Sequence, residues 1–110
     1  MSEFLLIFRR DYKTMEIQPP LEKIEENILQ WQLFFARLQD RLVRPVQGLD
    51  PQGKIITKNQ RVKEGPYAEI TQSVSGFIII NAVDYDEAVM IAQTCPILEI
   101  SGTVEIRREV

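Results

Sequence analysis

The run Gly76-Phe77-Ile78-Ile79-Ile80-Asn81-Ala82-Val83 passes directly into Asp84-Tyr85-Asp86-Glu87-Ala88-Val89, so a strand that is apolar on both faces leads into a capped helix. Successive strand side chains point to opposite faces of a sheet, and a strand apolar on both sides has to be covered twice. Phe4-Leu5-Leu6-Ile7-Phe8 shows the same two-sided character. With 110 residues the chain can build one core of two packed layers but not two domains, and residues 1–110 are expected to form a single domain. One layer of helices shelters one sheet face. In so short a chain the other face calls for a second copy of the protein.

The remaining elements follow from periodicity and punctuation. Phe4 to Phe8 is rich in aromatic and branched residues and stops at Arg9-Arg10-Asp11, as a buried first strand does. From Pro20 to about Leu42, the residues Leu21, Ile24, Ile28, Trp31, Phe34 with Phe35, Leu38 and Leu42 recur three or four apart, the stripe of a long amphipathic helix. Pro19-Pro20 marks its start, with Glu22, Glu25 and Glu26 near the positive end of the helix dipole and Arg37 and Arg41 near the negative end. Val43 to Gln47 reads as a strand that Pro45 confines to an edge or a bulge, because proline has no N–H for the ladder. Lys54 to Thr57 and Gln60 to Val62 read as a small hairpin across Lys58-Asn59, and Gly65-Pro66 forces a loop. Asp84 and Glu87 have capping-box spacing, Cys95-Pro96 ends the second helix, and Thr103 to Arg107 alternates like a strand with one buried face.

That order is β-α-β-(hairpin)-β-α-β, the ferredoxin-like plan of the α+β class: an antiparallel sheet with two helices on one face. Water on the open face suits a polar surface, yet either Phe4, Leu6 and Phe8 or Leu5 and Ile7, with one set of the Phe77 to Ile80 side chains, would sit there. Fully burying such a side chain is worth roughly 1.5–3 kcal/mol. The sequence therefore predicts a homodimer through the sheet face, two sheets packed into a dimeric α/β barrel.

The chain resembles the DGPF-domain branch of the YCII-related proteins. The resemblance rests on Glu3 to Arg9, on Trp31, on Glu64-Gly65-Pro66-Tyr67-Ala68-Glu69 where that family has its DGPF-A-E run, on Gly76-Phe77, on Asp86-Glu87-Ala88, on Cys95 to Glu99 and on Val104 to Arg107. It spans nearly the whole chain and implies a small bacterial stand-alone domain of dimeric ferredoxin-like fold. The namesake tetrapeptide departs at Glu64 and Tyr67. Relatives that use a histidine and aspartate pair set no precedent here, since the chain contains no histidine.

Composition narrows the chemistry. Thirteen Lys plus Arg stand against 16 Asp plus Glu, dispersed along the chain to a net charge of -3, so there is no basic field for a phosphate backbone and nucleic acid is not an expected partner. No apolar run reaches the roughly 18 residues of a membrane span, and the N-terminus lacks the cationic region of a signal peptide, so a cytoplasmic protein without a membrane partner is expected. Zero His and one Cys remove the usual zinc and iron ligands, and neither a metal nor a cofactor is expected. Cys95, on the last turn of a packed helix, reads as a core filler.

The ligand-binding candidates are Arg9, Trp31, Glu64 and Tyr67, around a cleft between helix, sheet and hairpin. Glu64 and Tyr67 are also the candidates for catalysis, a carboxylate and a phenol on one Gly-Pro loop, against the plainer reading of a turn that docks Tyr67 on the core. Arg9 and Arg10 are placed to receive an anion or to pair with Asp11 or Glu69. The leading expectation is a homodimeric domain that binds a small molecule. The alternatives are a histidine-free enzyme moving protons through Glu64 or Tyr67, and a protein interaction module of a regulatory system.

Overall fold

The computed structural model describes residues 1–11, 20–50, 53–59, 61–65, 72–100 and 102–110. The chain runs β1 (Ser2–Asp11), α1 (Leu21–Leu38), β2 (Leu42–Gly48), β3 (Gly53–Ile56), β4 (Val62–Gly65), β5 (Gln72–Ala82), α2 (Tyr85–Ala92) and β6 (Thr103–Arg108), with 3-10 turns at Gln39–Arg41 and Pro96–Ile100. Four strands form one antiparallel sheet in the order β2-β5-β1-β6, and β3 and β4 form the separate hairpin. This is the ferredoxin-like α+β arrangement expected from the sequence.

The pleat sorts the two-sided strands. Phe4, Leu6 and Phe8 of β1 and Ile78, Ile80 and Ala82 of β5 are fully buried on the helix side, where they meet Phe34 and Leu38 of α1, Ala88 and Ala92 of α2, and Cys95 and Ile97. Leu5, Ile7, Phe77 and Ile79 point the other way and remain partly exposed. On that face Glu105 of β6 bridges two arginines, with Oε1 3.5 Å from Arg9 Nη2 and Oε2 3.1 Å from Arg107 Nε. An apolar centre with a charged rim is the result.

Local chemistry accounts for the element boundaries. Pro20 sits just ahead of α1, and its carbonyl accepts from Lys23 N and Ile24 N at 3.0 and 3.1 Å. The helix is shorter than its apolar repeat suggests: it ends at Leu38, and Leu42 instead begins β2 opposite Ile80. Gln39 turns the chain with φ 46°, a left-handed backbone that non-glycine residues adopt at a cost. Two stripe residues are also less covered than expected, Leu21 at 70% and Ile28 at 52% exposure. Pro45 lies in an edge strand whose register with β5 slips between Arg44 and Gln47, in keeping with its missing donor.

At α2, Asp84 accepts from Glu87 N at 2.9 Å, and the Glu87 carboxylate reaches back to Val83 N at 3.1 Å. Glu87 also pairs with Arg41, tying α2 to the turn that precedes β2. This pairing and the Val83 hydrogen bond hold the Glu87 carboxyl below its ordinary range. On α2, Ala88 and Ala92 are buried, whereas Tyr85 and Val89 are exposed. Tyr85 packs its ring edge against Phe4 at 4.9 Å, and its hydroxyl accepts from Arg108 N at 3.0 Å.

Candidate functional site

The β1–β5 ladder is irregular at one point. Phe8 pairs with Gly76 and Arg9 with Val74, which leaves Ser75 without a partner in the register. A bulge of this kind turns a side chain out of the regular alternation and is common beside binding sites. Ser75 Oγ donates to Phe8 O at 3.2 Å, and Ser75 O accepts from Leu49 N at 2.9 Å, so both sides of the bulge are held.

Over the bulge lies a cavity of about 550 Å³, walled by one side of α1, by β1 and β5, and by the Pro96–Ile100 turn. Its size falls within the range of small-molecule sites. Trp31 forms the aromatic wall: it meets Phe8 edge-on at 5.3 Å and stacks on Phe35 at 5.6 Å with 25° between the planes. Ile97 and Ile100 supply the floor opposite, while Leu49 and the half-exposed Ile28 stand at the mouth. The polar lining comes from Arg10, Asn27, Gln32 and Ser75. Two of these donors, Arg10 Nε and Asn27 Nδ2, are buried and have no hydrogen-bond partner. Buried donors are nearly always satisfied, so a pair left open on the residues of one cavity marks it as a place for an acceptor.

The sequence candidates distribute unevenly over this geometry. Trp31 lines the cavity. Arg9 does not: the pleat puts it on the opposite sheet face, paired with Glu105, and its neighbour Arg10 faces the cavity instead. Tyr67 lies outside the described residues, as do Pro66 and Glu69; of Glu64 the structure describes only the backbone, in β4 opposite Lys54. No described hairpin residue lines the cavity, and the third wall that the described residues supply is the Pro96–Ile100 turn. Asn27 and Ser75 were missed by sequence reasoning. Asn27 offered a signal, a polar residue within the apolar stripe between Ile24 and Trp31, whereas the Ser75 bulge has none that a single sequence shows.

Elsewhere the chemistry is quiet. Cys95 is buried between α2 and the Pro96–Ile100 turn, and burial pushes its thiol up to about 11, away from nucleophilic use at neutral pH. Among the described residues no cluster of His, Cys, Asp and Glu has the makings of a metal site. None of their helices is long and apolar enough to cross a membrane.

A family model described as the YCII-related domain matches residues 36–109. Among solved structures, the fold is similar to 5-chloro-2-hydroxyhydroquinone dehydrochlorinase (TftG) from Burkholderia phenoliruptrix AC1100, solved in complex with 2,5-dihydroxybenzoquinone. The TM-score is 0.53 at 15% sequence identity, over 97% of this chain and 93% of that one. At this identity the likeness speaks for the fold. No curated protein matches the chain.

Proposed function

The chain belongs to the YCII-related domain family, and we propose that it is a small-molecule-binding domain working as a homodimer, with the cavity beside Trp31 as its ligand site. The observation that carries this reading is the pair of unpartnered buried donors on residues lining an aromatic-walled space. A structurally similar protein holding a small cyclic ligand is consistent with it. The test is a thermal-stabilisation screen of a small-molecule library, repeated on Trp31→Leu. A reproducible hit that disappears in this variant, with the fold intact by circular dichroism, is the expected result; a hit that Trp31→Leu leaves unchanged removes the cavity from the reading. Glu64, in β4, and Tyr67, outside the described residues, belong to the proposal as further candidate ligand contacts. Retained affinity in both Glu64→Gln and Tyr67→Phe would exclude them.

The dimer is proposed on the open sheet face. Leu5, Ile7, Phe77 and Ile79 form a contiguous apolar centre there, rimmed by the Arg9, Glu105 and Arg107 cluster. The radius of gyration, 15.3 Å, exceeds the roughly 13 Å of a compact chain of this length, as befits a slab 19 Å thick. A second copy meets that face with the same apolar centre, the self-complementarity that two-fold symmetry demands. Sedimentation should give a dimer at micromolar concentration and a monomer for Ile79→Glu; a wild-type monomer there refutes the assembly. The proposed compartment is the cytoplasm, to be checked by cell fractionation.

A further inference from the structure

We propose that the cavity selects a planar ring bearing a carboxylate or an equivalent anion, a ligand class that rests on the cavity being a binding site at all. The first ground is charge. Among the described residues that line the cavity Arg10 is the single charged one and none is acidic, in a chain whose net charge is -3. Other arginines have carboxylate partners: Arg9 and Arg107 share Glu105, and Arg41 has Glu87. Among the described residues Arg10 has none, and its Nε is buried without an acceptor.

The second ground is the direction of the hydrogen bonds on offer. A guanidinium only donates, and the open atom of Asn27 is its amide nitrogen, so the group that satisfies both must accept twice. A carboxylate does this, and hydrogen bonds to it from a cation are the stronger kind. Ser75 already spends its hydroxyl hydrogen on Phe8 O and does not compete as a donor. Asn27 and Arg10 come from different elements, α1 and β1, so the acceptor would join helix to sheet where neither closes on the other.

The third ground is shape. Trp31, stacked on Phe35 with 25° between the planes, and Phe8, set edge-on, form a wall to which flat rings adhere by stacking and edge contacts. The volume of about 550 Å³ accepts one or two rings.

The test uses the full-length protein with three probes: benzoate, benzamide and cyclohexanecarboxylate. Trp31 is the only tryptophan, so its emission reports occupancy directly, and titration calorimetry gives the affinity independently. Benzoate is expected to bind about tenfold or more tighter than either comparison probe, since benzamide lacks the charge and cyclohexanecarboxylate the plane. Asn27→Asp, on a half-exposed helix position that tolerates the change, should abolish benzoate binding by charge repulsion, and Arg10→Met should erase the preference for benzoate over benzamide. Equal affinity for benzoate and benzamide, or a preference surviving Arg10→Met, overturns the anion; equal affinity for cyclohexanecarboxylate overturns the ring. No response of Trp31 to benzoate up to ~10 mM also overturns the class. In every one of these failures the library screen decides separately whether the cavity binds anything.

Discussion

Gly102→Ala is the substitution whose cost the structure defines most closely. Gly102 is buried between the Pro96–Ile100 turn and β1, and its N–H donates to Ile97 O at 2.9 Å. A β-carbon there would lie 2.4 Å from Ile97 Cγ1, 2.8 Å from Arg9 O and 2.8 Å from Ile97 O. The first neighbour can rotate away. The two carbonyl oxygens cannot, because Arg9 is fixed in the ladder with Thr103 and Ile97 is held by the turn. Overpacking of a closed site costs about 1–3 kcal/mol, and contact with backbone on two sides argues for the upper end. For a domain of this size ~3 kcal/mol lowers the Tm by roughly 10–20 °C.

Gly48→Ala and Gly53→Ala serve as controls, since an added β-carbon at either position meets nothing within 4 Å. Both should stay within about 0.5 kcal/mol of the parent or gain slightly from a less flexible unfolded chain. Urea denaturation of the three variants measures the contrast. Adding Ile97→Ala should relieve the Gly102→Ala penalty only in part, as it removes one of the three clashes. A Gly102→Ala midpoint equivalent to within ~0.5 kcal/mol of the parent would refute the close-approach argument.

Gln39→Gly should stabilise the protein by about 1 kcal/mol, because glycine adopts φ 46° without the strain that a side chain brings; an unchanged urea midpoint counts against this. The Cys95 thiol rises from 9.0 to about 11 on folding, so its contribution is complete below pH 9 and is lost as pH climbs towards 11. The stability difference between the parent and Cys95→Ala should shrink across that window, and native Cys95 should react with a thiol reagent at pH 8 far more slowly than the unfolded chain. Glu87 shifts in the opposite direction: its lowered folded value gives stability that is present above 4.5 and lost as pH falls through the folded value. Glu87→Gln should therefore be less stable than the parent at pH 7 and lose that deficit in acid, and a deficit constant with pH would mean that Arg41 contributes nothing through charge.

Elements that depend on near neighbours were legible in the amino-acid order. The Asp84 and Glu87 cap, the hairpin about Lys58-Asn59, the edge position of the strand containing Pro45 and the two-sided strands all follow from residues a few places apart, since capping, turn geometry and pleating act over that range. What decided the site acts across the sheet. Alternation says that Arg9 and Arg10 face opposite ways, but not which one the helices cover, and the cavity received Arg10. The stripe of α1 specifies a face without saying how much of it the rest of the chain covers, and Leu21 and Ile28 are left exposed. The slip at Ser75, the turn that closes the cavity and the crowding at Gly102 are set by how β1 and β5 register and how the turn packs on them. Local chemistry therefore determined which elements form, and three-dimensional packing determined which side chains they bring together, because contacts between distant segments exist only once the sheet has assembled.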